Sequence, residues 1–170
     1  MIIFSGGQTG VDENGLKAAL ENGFETKGFC VSSRRNENGI LINPLFSLFA
    51  ADTDKPIERT ELNVMAAEAT IILYRKDPTL DGTIDTIYFV KKHKKPHLVL
   101  DGEMFSENGV DVAVKWLSEN RFCSINIAGP RESSDPGIGE AAFNFFSLMF
   151  YKYRNPSVPG PMRQILGKMK

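Results

Sequence analysis

The stretch FSGGQTGVDENG, residues 4–15, places Gly6, Gly7 and Gly10, with Gln8, Thr9 and Asp12 among and just beyond them, directly after the apolar run Met1–Ser5. A short apolar run that ends in glycine reads as a buried strand. The residues after it read as a helix from Thr9 to about Asn22. Thr9 is its expected cap, Asp12 stands three residues on in a box-like arrangement, and Gly23 is the expected left-handed stop. A strand feeding a helix through so flexible a turn is the opening of an α/β fold, and it brings backbone close to something.

The remainder repeats the alternation. Strand candidates are 27–31, a short piece within 45–51, 69–74, 97–100 and 124–128. Helix candidates start at Thr53 or Asp54 and run to about Ala67, then 81–94, 108–119 capped by Asn108 with Asp111 in its first turn, and 137–151. In the second of these, Ile84, Ile87, Tyr88 and Lys91 stack on one face. Strands of about five residues between helices of about ten to fifteen predict a mostly parallel, doubly wound sheet with helices on both faces, a three-layer αβα fold. At 170 residues the chain fits one such domain over 1–151, followed by a basic tail at 152–170 with a short helix at 163–168.

Composition narrows the function. Hydrophobic residues make up 42% and charged residues 24%, which excludes a disordered or collagen-like chain. A formal net charge of −1 gives no global pull toward nucleic acid or an anionic membrane. Lys152, Arg154, Arg163, Lys168 and Lys170 have no acid among them, so the first 151 residues carry about −6 once those five charges are taken from −1. The tail then docks on its own acidic body or a neighbouring subunit; a phosphate- or nucleic-acid-binding tail is the alternative. KKHKK (91–95) closes a helix, where positive charge is favourable, and lacks interleaved aromatics. Cys30 and Cys123 stand apart, and His93 and His97 lack metal-ligand spacing, so no zinc site is expected. With no signal peptide and no apolar run near the ~20 residues that span a bilayer, cytoplasmic residence is expected. The Phe-rich last helix, with Phe143, Phe145, Phe146 and Phe150, suggests a homo-oligomer.

In an open parallel sheet, ligands bind beyond the carboxyl ends of the strands. Three loops lie there. SGGQTG puts Ser5, Gly7 and Gly10 at the positions of G-x-G-x-x-G, a turn suited to an anion at a helix N-terminus. It lacks the Gly-Lys-Ser/Thr ending of a Walker A loop. The second strand ends in Cys30-Val31-Ser32-Ser33-Arg34-Arg35, where a dinucleotide site would want an acid. Arg34 and Arg35 are either surface charge or a grip on a second anion. RKDPTLDGTIDT (75–86) opens another helix with Gly82 and Thr83, and Thr83 could serve as a cap alone. AGPRESSDPGIGEA (128–141) adds Gly129, Arg131, Ser133 and Ser134. Arg59 and Asn63, four apart on one helix, face either this edge or a surface ion-pair network with Glu58 and Glu61.

GGQTGVD (6–12), RRNENG (34–39), RTELN (59–63), ATIIL (69–73), DGTIDT (81–86) and NIAGPRES..PGI (126–138) together resemble the molybdenum carrier family, within the Rossmann-like group that includes the Lonely-Guy, or lysine-decarboxylase-like, phosphoribohydrolases. The resemblance spans roughly residues 2–150 and implies a Rossmann-like fold that binds molybdenum cofactor or another phosphate-bearing, nucleotide-like ligand. By that resemblance Gly6, Gly7, Gln8, Thr9 and Gly10 hold a phosphate, Gly82 and Thr83 form a second phosphate loop, and Arg59 takes the hydrolases' arginine position. Asp12, Thr60, Asn63 and Glu132, which lie in the same motifs, complete the expected ligand set with Arg34, Arg35, Gly129, Arg131 and Ser133. Two departures matter: Asp81 replaces a glycine of the second loop, and Thr86 stands where the hydrolases carry a glutamate. Asp85 is adjacent but turned about 100° on a helix. A carrier of a phosphorylated small molecule is therefore expected, with molybdenum held by the cargo's own dithiolene. The alternative is a nucleoside-monophosphate N-glycosidic hydrolase using Asp12, Glu61 or Asp85 as acid or base.

Overall fold

The computed structural model describes residues 1–156. Seven strands and five helices alternate along them: β1 (Ile2–Phe4), α1 (Val11–Glu21), β2 (Glu25–Lys27), β3 (Phe29–Cys30), β4 (Phe49–Ala50), α2 (Pro56–Ala66), β5 (Ala69–Leu73), α3 (Thr83–Lys92), β6 (His97–Leu100), α4 (Glu107–Asn120), β7 (Ser124–Ala128) and α5 (Ile138–Arg154). Five strands form one parallel sheet in the order β2-β1-β7-β5-β6, and β3 pairs with β4 in a separate parallel ribbon. The expected doubly wound α/β fold is present. The central strands β5 and β7 are buried on both faces, in keeping with the predominantly apolar make-up of ATIIL and SINIA.

One face of the sheet carries the larger core, where Leu16 of α1, Val110 and Leu117 of α4, and Phe145, Phe146, Met149 and Phe150 of α5 pack together. On the other, Val64 of α2 and Phe89 and Val90 of α3 close over Ile72. The phenylalanines expected to mark a subunit contact are thus consumed inside the chain: Phe145, Phe146 and Phe150 are buried between α1 and α4, and Phe143 packs beside them.

Local chemistry shifts several boundaries. Thr9 does not cap α1; the cap position is Gly10, at φ 81°, and no side chain bonds there. Gly23, at φ 71°, does end that helix. The strand expected over 27–31 breaks at Gly28, which only glycine suits: its φ is 144°, and a Cβ there would lie 2.0 Å from the Ser5 carbonyl oxygen. The chain thereby leaves the main sheet at β2 and enters the ribbon at β3. Pro56 starts α2, later than expected, since Thr53 and Asp54 accept backbone bonds from Lys55 and Ser33 instead. In α3 the buried residues are Thr83, Thr86, Phe89 and Val90, while Ile84 and Tyr88 of the expected stack are exposed. Ser106, not Asn108, caps α4. RRNENG is no open loop but a hairpin: Arg35 bridges Leu41, and Gly39 takes φ 74° at the turn.

α5 continues to Arg154, so the expected division at 151/152 falls inside this helix. Lys152 is 2% exposed, with its ammonium 2.8 Å from Glu107 and 2.7 Å from Asp111 on α4. Arg154 donates to the carbonyls of Asn22 and Gly23. Two of the five cations of the basic segment thus belong to α5 itself; the helix expected at 163–168 lies outside the described residues. No helix among the described residues is long and apolar enough to cross a membrane.

Candidate functional site

The sheet steps from β1 outward to β2 in one direction and from β5 outward to β6 in the other, with β7 between. Loops diverge at such a reversal and leave a crevice at the strands' carboxyl ends. Here that crevice is a shallow cleft open to solvent. Its floor is Asn126, Ile127 and Ala128 of β7, and its walls are Gly6, Gln8 and Asp12 from the first turn, Arg59, Thr60 and Asn63 from α2, Asp81, Gly82, Asp85 and Thr86 around the start of α3, and Gly129 and Arg131 after β7. A neighbouring open cleft shares Gln8, Pro56 and Arg131 and adds Arg35, Asn36 and Glu37.

Arg59 is the centre of the first cleft. It is 7% exposed, its Nη1 donates to Asp12 Oδ2 at 3.1 Å, and its Nε has no partner among the described residues. Gly6 is glycine because of it: a Cβ at position 6 would fall 1.4 Å from Arg59 Nη1. Burial pushes the Asp12 carboxyl above its ordinary range, and the Arg59 guanidinium opposes that without cancelling it. Asn63 shares the cleft wall, but its amide is spent on β3, accepting from Phe29 N and donating to Phe29 O. Thr60 bonds back to the Pro56 carbonyl.

The three helix N-termini at this edge already hold acceptors from the chain itself. Val11 N donates to the Pro130 carbonyl. Thr83 N donates to Asp81 Oδ1 at 2.8 Å. The Glu132 carboxylate accepts from Gly137 N and Gly139 N, capping α5. The second oxygen of Asp81 is buried and, like the buried Thr83 hydroxyl, has no partner among the described residues. Gly82 differs from Gly6: its φ is −67° and a Cβ there would find its nearest neighbour, Asp85 Oδ2, at 3.8 Å, so nothing in the backbone requires glycine.

The sequence-derived set therefore divides. Gly6, Gln8, Asp12, Arg59, Thr60, Asn63, Gly82, Gly129 and Arg131 meet in the first cleft. Arg35 lines the second. Gly7, Thr9, Gly10, Arg34, Thr83, Glu132 and Ser133 line neither. Gly10 and Gly7 shape the turn at positive φ, Arg34 donates to the Leu48 carbonyl, and Thr9 and Ser133 both bond to Glu37. Of the candidate acids, Glu61 is elsewhere, bonded by Lys92 and His93 at 2.7 Å. Asp85 stands in the cleft wall together with Thr86 rather than turned from it. Sequence reading missed Asn126, although a polar residue inside the apolar strand SINIA was a signal. It also missed Asp135, which is 2% exposed and takes a bidentate grip from Arg75 with Lys76 at 3.0 Å, tying the loop after β5 to the loop after β7.

A model of the circularly permutated YpsA SLOG family matches residues 3–150. The fold also resembles the crystal structure of a "putative molybdenum carrier protein" from Syntrophus aciditrophicus SB, with a TM-score of 0.81, 30% sequence identity, and coverage of 87% of this chain and 93% of that one. A search of curated proteins finds no match. With nearly the whole described chain inside the family's span, this protein belongs to the circularly permutated YpsA SLOG family.

Proposed function

We propose that this chain binds and carries a phosphate-bearing heterocycle, molybdenum cofactor or a related nucleotide, in the cleft at the carboxyl edge of the sheet. The observation that carries the reading is Arg59, a cleft-lining guanidinium whose buried Nε has no partner among the described residues. A buried guanidinium N–H left without an acceptor costs free energy, which a small turn of the side chain toward a bound anion would relieve. Arg131 adds a second cation. Asp85, in the cleft wall, offers the opposite chemistry: a two-oxygen acceptor for the amino and ring N–H groups that a pterin or guanine presents side by side. Cations and carboxylates in one cleft suit a ligand that is anionic at one end and a hydrogen-bond donor at the other. Among the described residues no group of three or more His, Cys, Asp or Glu could hold a metal, so in this reading the molybdenum stays on the cargo's dithiolene sulfurs. Family membership and the name of the structural neighbour point the same way.

Mass spectrometry of the small molecule that copurifies with native protein identifies the cargo. Calorimetric titration then measures it: Arg131→Ala should weaken binding about tenfold or more, since a charged hydrogen bond is worth about 1.5–3 kcal/mol. Protein with no affinity for the cofactor, for molybdate or for any nucleotide overturns the reading. One observation favours N-glycosidic hydrolysis instead, the place of Asp85 in the cleft wall beside Thr86. Release of free base from a nucleoside monophosphate, abolished by Asp85→Asn, would establish that activity; no turnover across a nucleotide panel dismisses it.

A further inference from the structure

The hairpin after β3 carries a carboxylate to the turn after β1. One oxygen of Glu37 accepts from the Thr9 hydroxyl and, at 3.3 Å, from the Ser133 amide. The other accepts from the Ser133 hydroxyl. Burial pushes the Glu37 carboxyl up, but the bonds from Ser133 and Thr9 and the nearby charge of Arg131 outweigh it and hold the group below its usual range. Gln8 aligns the hairpin, accepting from Glu37 N at 2.9 Å and donating to the Arg35 carbonyl at 3.3 Å.

The donors and the acceptor sit on different kinds of support. Thr9 and Ser133 follow β1 and β7, paired neighbours at the middle of the sheet. Glu37 rides on a hairpin closed by local bonds around Asn36, with Asn38, Gly39, Ile40 and Leu41 all exposed. The carboxylate is the member that can leave. Two hydroxyls and an amide bonded to one anion, with Arg131 in the wall of the same cleft, form a set that accepts a phosphoryl group as readily as a carboxylate. This point also adjoins the first cleft, because Gln8 and Arg131 line both clefts.

We propose that Thr9, Ser133 and Arg131 form a phosphoryl subsite, that Glu37 fills it as an internal competitor, and that a bound phosphoryl group displaces Glu37 and lifts the 35–41 hairpin. For the remainder of the ligand this rests on the cleft reading above; the subsite itself does not. The intramolecular carboxylate acts as a competing ligand at high effective concentration, so it lowers apparent phosphate affinity and releases the hairpin only when phosphate is bound.

Thermal unfolding in sodium phosphate, against sodium chloride at matched ionic strength, tests the subsite without any heterocycle. In Glu37→Ala, about 10 mM phosphate should raise the midpoint by about 2–4 °C, while the wild type needs about tenfold more phosphate for the same rise. Adding Ser133→Ala to that variant should abolish the response. Should Glu37→Ala fail to fold, Glu37→Gln keeps the shape without the charge, and calorimetric titration with inorganic phosphate gives the same comparison. A response to phosphate no greater in the variants than in the wild type overturns the proposal. GMP and guanosine form the second arm, in which the Glu37 variants should gain affinity for GMP only. Phosphate binding unmasked by Glu37→Ala in a protein that ignores GMP and molybdenum cofactor upholds the subsite and removes the carrier reading. GMP binding with no unmasked phosphate response does the reverse.

Discussion

Arg59 joins two roles in one side chain, pairing with the buried Asp12 and lining the cleft with a guanidinium whose Nε has no partner among the described residues. Removing it leaves a carboxylate stranded in the interior. Arg59→Ala should therefore cost about 3–5 kcal/mol in urea unfolding, and Asp12→Asn in the same chain should recover much of that. Glycine substitutions separate architecture from ligand contact. Gly6→Ala must expel Arg59 from its place and should cost about 1–3 kcal/mol of stability. Gly82→Ala meets no close neighbour, so stability should stay within about 0.5 kcal/mol while cargo affinity falls, because the added methyl narrows the cleft mouth. At this scale sequence reading found the cleft's arginines and glycines from their place after strands. It could not see that the Thr9 hydroxyl and Thr83 N would meet acceptors inside the chain, or that the Glu132 carboxylate would itself accept from the start of α5. Glu37 is separated by 28 positions from Thr9 and by 96 from Ser133, and no local pattern announces such a contact.

Elements were legible where periodicity was strong and less so where one residue redirected the backbone. The β5 and β7 runs and the start of β6 fall where the apolar pattern puts them. The break at Gly28 was hidden because it depends on the Ser5 carbonyl, far off in sequence. The exposed stripe of α3 misled for another reason: Ile84 and Tyr88 share a face, but Phe89 and Val90 cover Ile72. α5 outran its expected end because its last cations have partners. The Lys152 side chain fills the gap to α4 with its stem and its charge meets two half-exposed carboxylates. Lys152→Ala should lower stability by about 1–3 kcal/mol, and Lys152→Met, which keeps the stem, by clearly less, both read from denaturant midpoints. Ser106→Ala should cost about 1 kcal/mol by uncapping α4.

For the whole molecule, the loops flanking the cleft are held together by Asp135 with Arg75 and Lys76. Burial pushes the Asp135 carboxyl up, and the hydrogen bonds and charges of Arg75 and Lys76 outweigh it, leaving the group below its ordinary value of 3.8 in the folded state. A depressed carboxyl stabilises the fold above its unfolded-state pKa and loses that contribution as pH falls through the folded-state value. Wild type should thus exceed Asp135→Asn in stability at neutral pH, and the gap should close below about pH 4 in acid-titrated unfolding. The opposite pole of the sheet holds a different feature. Arg154, in the last turn of α5, grips the carbonyls of Asn22 and Gly23, and β2, which follows them, pairs with β1 from Ile2 onward. One guanidinium thus staples the final helical turn to the lead-in of an edge strand. Loosening it would free both together at the pole remote from the cleft, and leave the cleft walls untouched.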